Sequence, residues 1–421
     1  MSNLDFLKKF QYIPILLYFL PITIIIGNSA INILNFLLVI SFFFLILKKK
    51  ELFKKYNNYF KFFFFISLIF SINILFSIDR LNSLISYIGF LGHFFLMLII
   101  IYCLDFNNYF ARNFLKIIFF IIILTGADTL YQYFNGVDIL GFKLDEGHGR
   151  RLSGPFGDEY VVGSYLCKFF FLALLFFKEN QYKYTKLFLI FLFLLIIVLS
   201  NERAASIMFF LATILYFIFN NEFSLKEKIL NFVIFIVVLF SFFSFDNNLK
   251  KHFIDRTFEQ LGITKTNKIS HNTLLDSQWG AHYLTSIEIF KNYKFSGSGL
   301  KTFRIECSKT KYSNIKTAEV NARCNTHPHN IYLEVLSETG LLGFMIFLSM
   351  ILFLLKKIIN NFFQNFKFSQ FELMVGLNFF ILFNPMQTTG AFFSTWNGVF
   401  YWIVIPFILR INKINSILSH K

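Results

Sequence analysis

Runs of apolar residues that are long enough to cross a bilayer recur along this chain of 421 residues. A helix of about 20 apolar residues, rising about 1.5 Å per residue, spans a hydrocarbon core of about 30 Å. Charged residues make up only 15% of the chain, against about 25% in a typical globular domain. The sequence therefore predicts an all-α polytopic membrane protein. We predict twelve spans, at residues 12–27, 30–47, 62–78, 83–104, 114–134, 157–177, 187–201, 204–219, 229–245, 330–355, 372–391 and 397–411.

The distribution of Lys and Arg predicts how these spans are oriented. Basic residues are concentrated in alternate connections, for example at 48–50, 54–55 and 356–357, and such connections stay in the cytoplasm. We therefore expect both termini in the cytoplasm, and the net charge of +16 requires no nucleic-acid partner. The N-terminal run lacks the small-residue cleavage site of a signal peptide, so we expect it to remain as a helix.

One connection, 246–329, is much longer than the others and is predicted on the outer side. It is too long for a simple connector and too short for a separate enzyme domain. Residues 278–290 within it have apolar residues near helical spacing, which predicts a helix that lies on the membrane or caps the bundle. The chain is thus interpreted as one membrane domain, with helices in 1–245, an outer loop at 246–329 and helices in 330–421.

The end of this loop carries the clearest chemical pattern, Thr326-His-Pro-His-Asn330, which leads into a predicted membrane helix. Pro328 suits the first helical turn. His329 would then lie at the positive end of the helix dipole, which favours a neutral imidazole. A neutral imidazole can accept a proton from a hydroxyl group. The alternative is that His327 and His329 only cap the helix.

Three polar residues continue this pattern into the membrane helix, since Asn330, Glu334 and Glu338 recur every four residues and share one face. Polar groups at such depth are costly and commonly functional, and the carboxylates need cationic partners. Arg203, which lies between two spans on the outer side, is the natural candidate. It could instead be an interfacial anchor paired with Glu202.

A second outer cluster extends from Gly147 to Tyr160 and contains Arg151 directly after Arg150. Adjacent guanidinium groups match phosphate oxygens well, although the segment could equally be a solvated turn. Lys168, about two turns into the following span, could reach up to a lipid phosphate or pair with Asp128. Asp128 itself could simply cap or pair near the end of its helix.

Two of the four cysteines, Cys307 and Cys324, lie in the outer loop. A disulfide is permitted outside the cytoplasm, and closing this loop would stabilise it by roughly 3 kcal/mol. The alternatives are two free thiols or a zinc site with His327 and His329. The spacing of these four residues fits no structural zinc pattern, so we predict the disulfide.

Together these motifs resemble the O-antigen ligase and polymerase superfamily of bacterial envelope glycan assembly. Ligases of this group carry a His, then Asn, Ser or Gln, nine residues, Gly, two residues and a small residue. His329-Asn330 followed by Gly340-Leu-Leu-Gly343 matches this pattern in full. By themselves, Gly340 and Gly343 indicate only close packing between helices. The resemblance covers roughly 125–345, and its further landmarks are Arg151–Gly154, Arg203, 297–304 and the long loop before the His motif.

In one respect the chain departs from the superfamily. Many members carry an Arg shortly before a Trp at the start of the loop helix, whereas this chain has Gln278-Trp279 there. A second essential arginine would therefore have to be Arg256, Arg304 or Arg151.

The resemblance implies glycosyl transfer at the outer face of the bacterial inner membrane, without a cofactor. The donor would be a polyprenyl-pyrophosphate-linked glycan, and the acceptor a sugar hydroxyl of lipid A core or of another lipid-linked glycan. The chain has no Asp-x-Asp motif, which agrees with metal-independent transfer. His329 would take the acceptor proton while Arg203 offsets pyrophosphate charge. The remaining predicted substrate-binding residues are Arg151, Arg304, His327, Asn330, Glu334, Glu338 and Lys168.

Other functions share parts of this pattern. A repeat-unit polymerase of the same superfamily has most of these features, and only the His motif favours a ligase. A lipid-linked glycan flippase would also have about twelve helices and buried charges, but it would not need the long loop ending in two histidines. A non-catalytic envelope partner is the third alternative.

Overall fold

The structure, a computed structural model, describes residues 12–146, 150–177, 181–245, 247–255, 257–258, 275–317, 319–365, 367–388 and 390–419. Within these ranges the chain is helical, and its β-type contacts are two isolated antiparallel bridges, Val137–Lys143 and Asp145–Arg151. The α-helices are α1 Tyr12–Tyr18, α2 Leu20–Ile26, α3 Asn28–Lys48, α4 Lys50–Lys55, α5 Asn57–Phe76, α6 Arg80–Phe106, α7 Phe110–Asn135, α8 Val162–Leu174, α9 Lys183–Leu199, α10 Arg203–Phe219, α11 Leu225–Phe245, α12 Asn247–Lys250, α13 Gln278–Asn292, α14 Phe303–Glu306, α15 Ile331–Asn365, α16 Gln370–Phe383, α17 Thr395–Leu409 and α18 Ile411–Ser419.

The predicted all-helical, multi-pass membrane architecture is confirmed at this level. Each predicted span coincides with helical structure, and five helices are long and apolar enough to cross a membrane: α3, α5, α6, α7 and α15 up to Asn360. Shorter apolar helices include α8, α10, α16 and α17. Twelve crossings and cytoplasmic termini remain predictions.

Most predicted bounds differ from the helix ends in the structure, and two spans differ in more than their ends. The span predicted at 12–27 is divided at Phe19 into α1 and α2. The span predicted at 372–391 ends as a helix at Phe383. Asn384 follows in extended conformation, and Pro385 has no N–H with which to continue the helical hydrogen bonds. The described residues from there to Thr395 are irregular, and they contribute to the site described below.

Aromatic side chains form much of the contact between the central helices. Trp402 of α17 packs edge-on against Phe90 and Phe94 of α6, with ring centroids 5.3 and 6.2 Å apart. Phe209 of α10 contacts Phe170 of α8 at 5.0 Å. Such edge-to-face contacts contribute beyond the burial of area. They explain why a Phe-rich sequence can hold short helices together where lipid supplies no hydrophobic driving force.

A charged cluster joins the far ends of α6 and α17. The carboxylate of Asp105 accepts two hydrogen bonds from the guanidinium of Arg410, with Nε–Oδ1 at 2.7 Å and Nη2–Oδ2 at 3.0 Å. Lys55 lies 3.5 Å from the same carboxylate, and Tyr56 donates its hydroxyl to it. A bidentate Arg–carboxylate pair fixes geometry as well as charge, so this end of the bundle is held rigidly.

The described part of the outer loop has a small core of its own, made by Ile289, Phe303, Cys307 and Tyr312. Cys307 and Cys324 are joined by a disulfide with their Cα atoms 5.3 Å apart. The buried carboxylate of Glu306 accepts from the Tyr293 and Tyr312 hydroxyls at 3.1 and 2.9 Å, and it pairs with Lys309 and Lys311. These interactions order a segment that is poor in apolar residues.

Helix α15 is broken at Gly340, where φ is 65°. The loop segment 294–299 enters this break. The N–H of Leu341 donates to the Lys294 carbonyl at 2.8 Å, and the N–H of Gly299 donates to the Glu338 carbonyl at 2.9 Å. A Cβ at Gly340 would collide with the Phe295 carbonyl, and one at Gly297 would collide with the Glu338 backbone. Both glycines are therefore required by close backbone approach rather than by helix–helix packing, which was the sequence-based interpretation of Gly340.

Candidate active site

Three histidines form a cluster where the outer loop meets α15. The ring of His329 lies 4.3 Å from that of His327 and 5.3 Å, nearly parallel, from that of His282. Trp279 contacts His329 edge-on at 5.2 Å. His282 and Trp279 come from α13, so the predicted loop helix supplies one wall of the cluster. His282 was not among the predicted site residues, because one histidine on a short amphipathic helix carries no pattern.

The hydrogen bonds of His329 run to irregular segments on both sides of the ring. Its Nδ1 lies 3.0 Å from the carbonyl oxygen of Thr388, and its Nε2 lies 2.9 Å from Nδ2 of Asn325. Nε2 of His327 and Nε2 of His282 are both buried with no hydrogen-bond partner in the described part of the protein. The cluster therefore holds imidazole nitrogens that are available for further bonding.

Burial keeps these three imidazoles neutral. It lowers the pKa of His329 to about 4, with the neighbouring His282 as a second cause. It lowers the pKa of His327 to about 3 and also lowers the pKa of His282. The sequence predicted a neutral His329 on the basis of a helix dipole, but burial is the larger cause in the structure.

The start of α15 differs from the prediction. The helix begins at Ile331, so Pro328 lies before the first turn, and His329 has a left-handed φ of 57°. Asn330 is the cap: its Oδ1 accepts from the N–H groups of Tyr332 and Leu333 at 3.0 and 3.1 Å, as N-cap residues do. Its Nδ2 donates to the Pro385 carbonyl at 2.7 Å. Both the oxygen and the nitrogen of the Asn330 side-chain amide are thus hydrogen-bonded within the protein.

Glu334 and Glu338 are buried, and backbone N–H groups satisfy them instead of an arginine. Oε2 of Glu334 accepts from the N–H of Phe392 at 2.6 Å. Glu338 accepts from the N–H of Lys301 at 2.7 Å and from that of Phe303 at 3.1 Å. The expected pairing of these carboxylates with Arg203 is wrong for the described residues. The prediction that Glu334 and Glu338 lie on one face of the helix is confirmed, since both line the same cavity.

The first 120 residues also contribute to the site, although they were predicted to add only membrane spans. Asn73 of α5 donates to the carbonyls of Glu338, at 2.8 Å, and of Ser296. The N–H of Ile78 donates to the Ser298 carbonyl at 3.0 Å. One asparagine in an apolar run gives no pattern in the sequence. Here it donates to the Glu338 carbonyl, which has lost its helical partner at the break in α15, and to a carbonyl of the loop segment that enters this break.

A cavity of about 740 Å³ lies between the loop, α15 and the start of α17. Its lining includes Lys301, Arg304 and His327 together with both buried glutamates. Lys301 and Arg304 make no ion pair or side-chain hydrogen bond in the described part. The cavity is also lined by residues from the α2–α3 junction, from the segment before α8 and from 391–397: Ile24–Asn28, Phe156, Glu159, Val161, Ala391 and Ser394–Asn397.

The predicted basic residues do not all reach this cavity. Arg304 lines it, whereas Arg203 does not, and Nη1 of Arg203 donates to Thr257 at 3.0 Å. Arg256, an alternative for the second arginine, lies outside the described residues. Lys301 was not predicted as a site residue, because a lysine after Gly-Ser-Gly-Leu is unremarkable until the loop folds against Glu338.

Arg151 and Lys168 lie near each other around Glu202. The Glu202 carboxylate accepts from the N–H groups of Gly163 and Ser164 at 2.6 and 3.1 Å and so caps α8. Arg151 donates to the Tyr160 carbonyl at 2.7 Å. Burial raises the pKa of Glu202 to about 7, opposed chiefly by Arg151. Glu202 therefore acts as a structural partner of α8 and of these cations.

Lys168 is buried below the cavity wall. Its Nζ lies 2.5 Å from Oδ1 of Asn397, which lines the cavity, and 4.7 Å from the ring centroid of Trp396. The alternative pairing with Asp128 is not found. Asp128 instead accepts from the N–H of Ile139 at 2.9 Å. Lys168 therefore contacts the site through Asn397 rather than lining the cavity itself.

A long apolar groove of about 750 Å³ lies on the other face of α15. It is lined by α5, α6, α15 and α17 and runs along α15 from Val335 and Thr339 to Phe353 and Leu354. Phe392 and Phe393 separate its upper end from the polar cavity, which Ala391 lines. Residues in the first turns of α15 therefore line both the polar cavity and the apolar groove.

The described residues contain no group of three or more His, Cys, Asp or Glu side chains arranged to hold a metal ion. Comparison of the chain with curated proteins gives no match. Residues 188–348 match the family model described as O-antigen ligase. This region includes Arg203, the disulfide, the histidine cluster and both buried glutamates, but not Arg151 or Lys168. The resemblance of this chain to the O-antigen ligase and polymerase superfamily is confirmed by this match.

Proposed function

We propose that this protein is a glycosyltransferase of the bacterial inner membrane. It would move a glycan from a polyprenyl-pyrophosphate carrier to a sugar hydroxyl of lipid A core on the periplasmic side, without a metal ion. The proposal rests on the set of polar and charged residues that line the cavity. Two cations that have no ion-pair partner among the described residues, Lys301 and Arg304, line it together with a neutral imidazole, that of His327.

The pyrophosphate of the donor would bind at these two cations. Arginine matches phosphate oxygens through two parallel hydrogen bonds, while lysine contributes a compact charge. The N–H groups of Lys301 and Phe303 are held by Glu338, so the short segment that carries both cations is fixed against α15. Preorganised charge of this kind stabilises a leaving group without a cost in reorganisation. Arg203, which donates to Thr257, would contact the pyrophosphate from outside the cavity lining.

The histidine cluster would supply the base. The oxygen of the acceptor hydroxyl attacks the anomeric carbon and forms the new glycosidic bond, while the bond from that carbon to the pyrophosphate oxygen breaks. The electron pair leaves with the pyrophosphate, and the hydroxyl proton passes to His329. Direct displacement inverts the anomeric configuration. His327, whose ring lies on the cavity wall 4.3 Å from that of His329, would orient the acceptor or share the proton.

The apolar groove would hold the polyprenyl chain of the donor. It begins at Val335, next to Glu334 on α15, and continues to Phe353. This stretch of helix rises roughly 27 Å, which is close to the thickness of the hydrocarbon core. A polyprenyl chain is long enough to follow the whole groove, so its pyrophosphate would lie at the upper end of α15 near the cavity.

Two experiments test the function. Purified protein in nanodiscs, given polyprenyl-pyrophosphate glycan and lipid A core, should produce glycan-modified core and release polyprenyl pyrophosphate. The lipopolysaccharide ladder of a deletion strain then separates the two members of the superfamily. Unligated polymer on the lipid carrier identifies a ligase, whereas core carrying a single repeat identifies a polymerase. Transport of the donor without any transfer would overturn the proposal in favour of a flippase.

A further inference from the structure

Asn325 lies between the disulfide and the two histidines, and its amide has a defined orientation. Its Oδ1 accepts a hydrogen bond from the N–H of Thr326 at 2.7 Å. Only the oxygen of an amide side chain can accept a hydrogen bond, so the nitrogen occupies the other position. That nitrogen, Nδ2, lies 2.9 Å from Nε2 of His329. Since Nδ2 can only donate, Nε2 of His329 is the acceptor and carries no proton.

The opposite edge of the ring leads independently to the same tautomer. Nδ1 of His329 lies 3.0 Å from the carbonyl oxygen of Thr388. A carbonyl oxygen only accepts, so Nδ1 must carry the proton. Asn325 and Thr388 belong to segments far apart in the sequence, yet both require an imidazole that is protonated at Nδ1 and has its accepting lone pair at Nε2.

The remaining surroundings of the ring do not select a tautomer. His282 and His327 contact it through their ring faces, and Trp279 contacts it edge-on. Beyond them the charged groups on the cavity wall are Lys301, Arg304, Glu159, Glu334 and Glu338. In the described part no carboxylate is hydrogen-bonded to His329. The backbone of His329 has a left-handed φ of 57°, which is unfavourable for a residue with a Cβ, so the protein maintains this orientation at a cost.

We propose that Asn325 is a positioning residue that keeps Nε2 of His329 unprotonated and directed at the place where the acceptor hydroxyl binds. The hydroxyl takes the place of the Asn325 amide and donates to the same lone pair. This inference rests on the proposed function for its role in transfer. The tautomer itself can be measured without any substrate. An asparagine suits the role because an aspartate here would accept a hydrogen bond and so draw a proton onto Nε2.

The test uses Asn325→Asp in the full-length protein, with Asn325→Ala as a second variant. Asn314→Asp is the matched control, since Asn314 is an exposed residue of the same loop with no contact to the histidines in the described part. The first readout is the ¹⁵N spectrum of histidine-labelled protein without substrate, with the His329 signals assigned by their loss in His329→Gln. The second readout is the pH profile of glycan transfer. Intact disulfide by mass and normal accumulation establish that each variant folds.

In the unsubstituted protein we expect the Nδ1–H tautomer of His329. In Asn325→Asp we expect both nitrogens protonated at neutral pH, because the carboxylate raises the pKa of His329. Transfer at pH 7 should then fall about tenfold or more and recover as the pH rises toward 9. Asn325→Ala should lose activity without moving the profile, and Asn314→Asp should match the unsubstituted protein.

The possible outcomes separate this inference from the proposed function. An Nε2–H tautomer in the unsubstituted protein would overturn the inference, as would an Asn325→Asp variant whose spectrum and pH profile are unchanged. The expected tautomer and its change in Asn325→Asp, found in a protein that transfers no glycan, would establish the positioning role and overturn the proposed function instead.

Discussion

Glu338 of the broken helix α15 accepts hydrogen bonds from the backbone N–H groups of Lys301, at 2.7 Å, and of Phe303, at 3.1 Å. This buried carboxylate is one of the links between α15, which continues from the histidine motif, and the segment that carries Arg304; the N–H of Ser298 also donates to the Ser337 carbonyl, at 3.0 Å. The Glu338 side chain thus helps to fix the base and the cations proposed for transfer relative to each other.

Replacing Glu338 should therefore uncouple the two halves of the site. Glu338→Gln keeps the side-chain shape, but only its oxygen accepts, so one of the two N–H groups loses its partner. We expect transfer to fall by about tenfold in Glu338→Gln and further in Glu338→Ala, because a small displacement of positioned groups is costly. The measurement is transfer by purified protein. Glu288→Gln is the control, since Glu288 lies on α13 with an exposed side chain. Equal activity in Glu338→Ala and the control would contradict this role.

The two motif histidines should differ in what their loss changes. His329→Ala should reduce transfer by about 10²- to 10⁴-fold, the usual contribution of a general base, while the protein still accumulates. His327→Ala should reduce the rate of transfer less than His329→Ala does. The position of His327 on the cavity wall predicts a clear rise in the KM for the acceptor as well. Near-normal glycan ladders in His329→Ala would remove His329 from catalysis.

Arginine geometry should matter at the donor site. Arg304→Lys keeps the charge but loses the planar fork that binds phosphate, so we expect donor binding to weaken nearly as much as in Arg304→Ala. Arg203→Lys should likewise fail as Arg203→Ala does. Binding of labelled polyprenyl-pyrophosphate glycan is the measurement, and Arg80→Lys, at the exposed start of α6, is the control. Full binding by either Lys variant would mean that charge alone suffices there, and unchanged binding by Arg203→Ala would exclude that contact.

The lowered pKa values of the clustered histidines predict how stability depends on pH. The unfolded chain protonates these histidines near pH 6.5, whereas in the folded protein His329 protonates at about 4 and His327 at about 3. Between these values the unfolded state binds more protons, so stability falls as the pH falls from about 6.5 toward 4. Thermal unfolding in nanodiscs between pH 4 and 8 should show this loss, and His282→Asn should reduce it. A Tm independent of pH over this range would show that the cluster is hydrated.

Hydropathy and the His motif predicted the helices and part of the candidate site, because both depend on residues that are close together in the sequence. The apolar runs located the helices, and the period of four placed Glu334 and Glu338 on one face. The sequence pattern could not predict the hydrogen-bond partners of these glutamates. They are backbone N–H groups of Phe392, Lys301 and Phe303, and a backbone group has no signature in sequence.

Single polar residues inside apolar runs were also missed. Asn73 contacts Glu338 across 265 positions of sequence, and His282 reaches His329 only because α13 folds over the start of α15. The interpretation of Gly340 as a packing residue was incomplete for the same reason. Its positive φ and its contact with the Phe295 carbonyl follow from where the loop enters, which local pattern cannot indicate.

The disulfide between Cys307 and Cys324 should be required for full activity. It closes a loop with a sequence separation of 17 and connects the segment after Arg304 to the segment that carries Asn325 and the histidines. Loss of a bridge of this size costs roughly 3 kcal/mol, so Cys307→Ser and Cys324→Ser should lower activity equally. The double variant should be no worse than either single one, since each removes the same bond. Thiol labelling of unreduced protein gives the oxidation state of the two loop cysteines directly. Cys103 and Cys167 are free but buried, so they should label only after denaturation and provide the background. Free labelling of both loop cysteines would show that this connection does not exist, and that the segment is ordered by Glu306 and its partners instead.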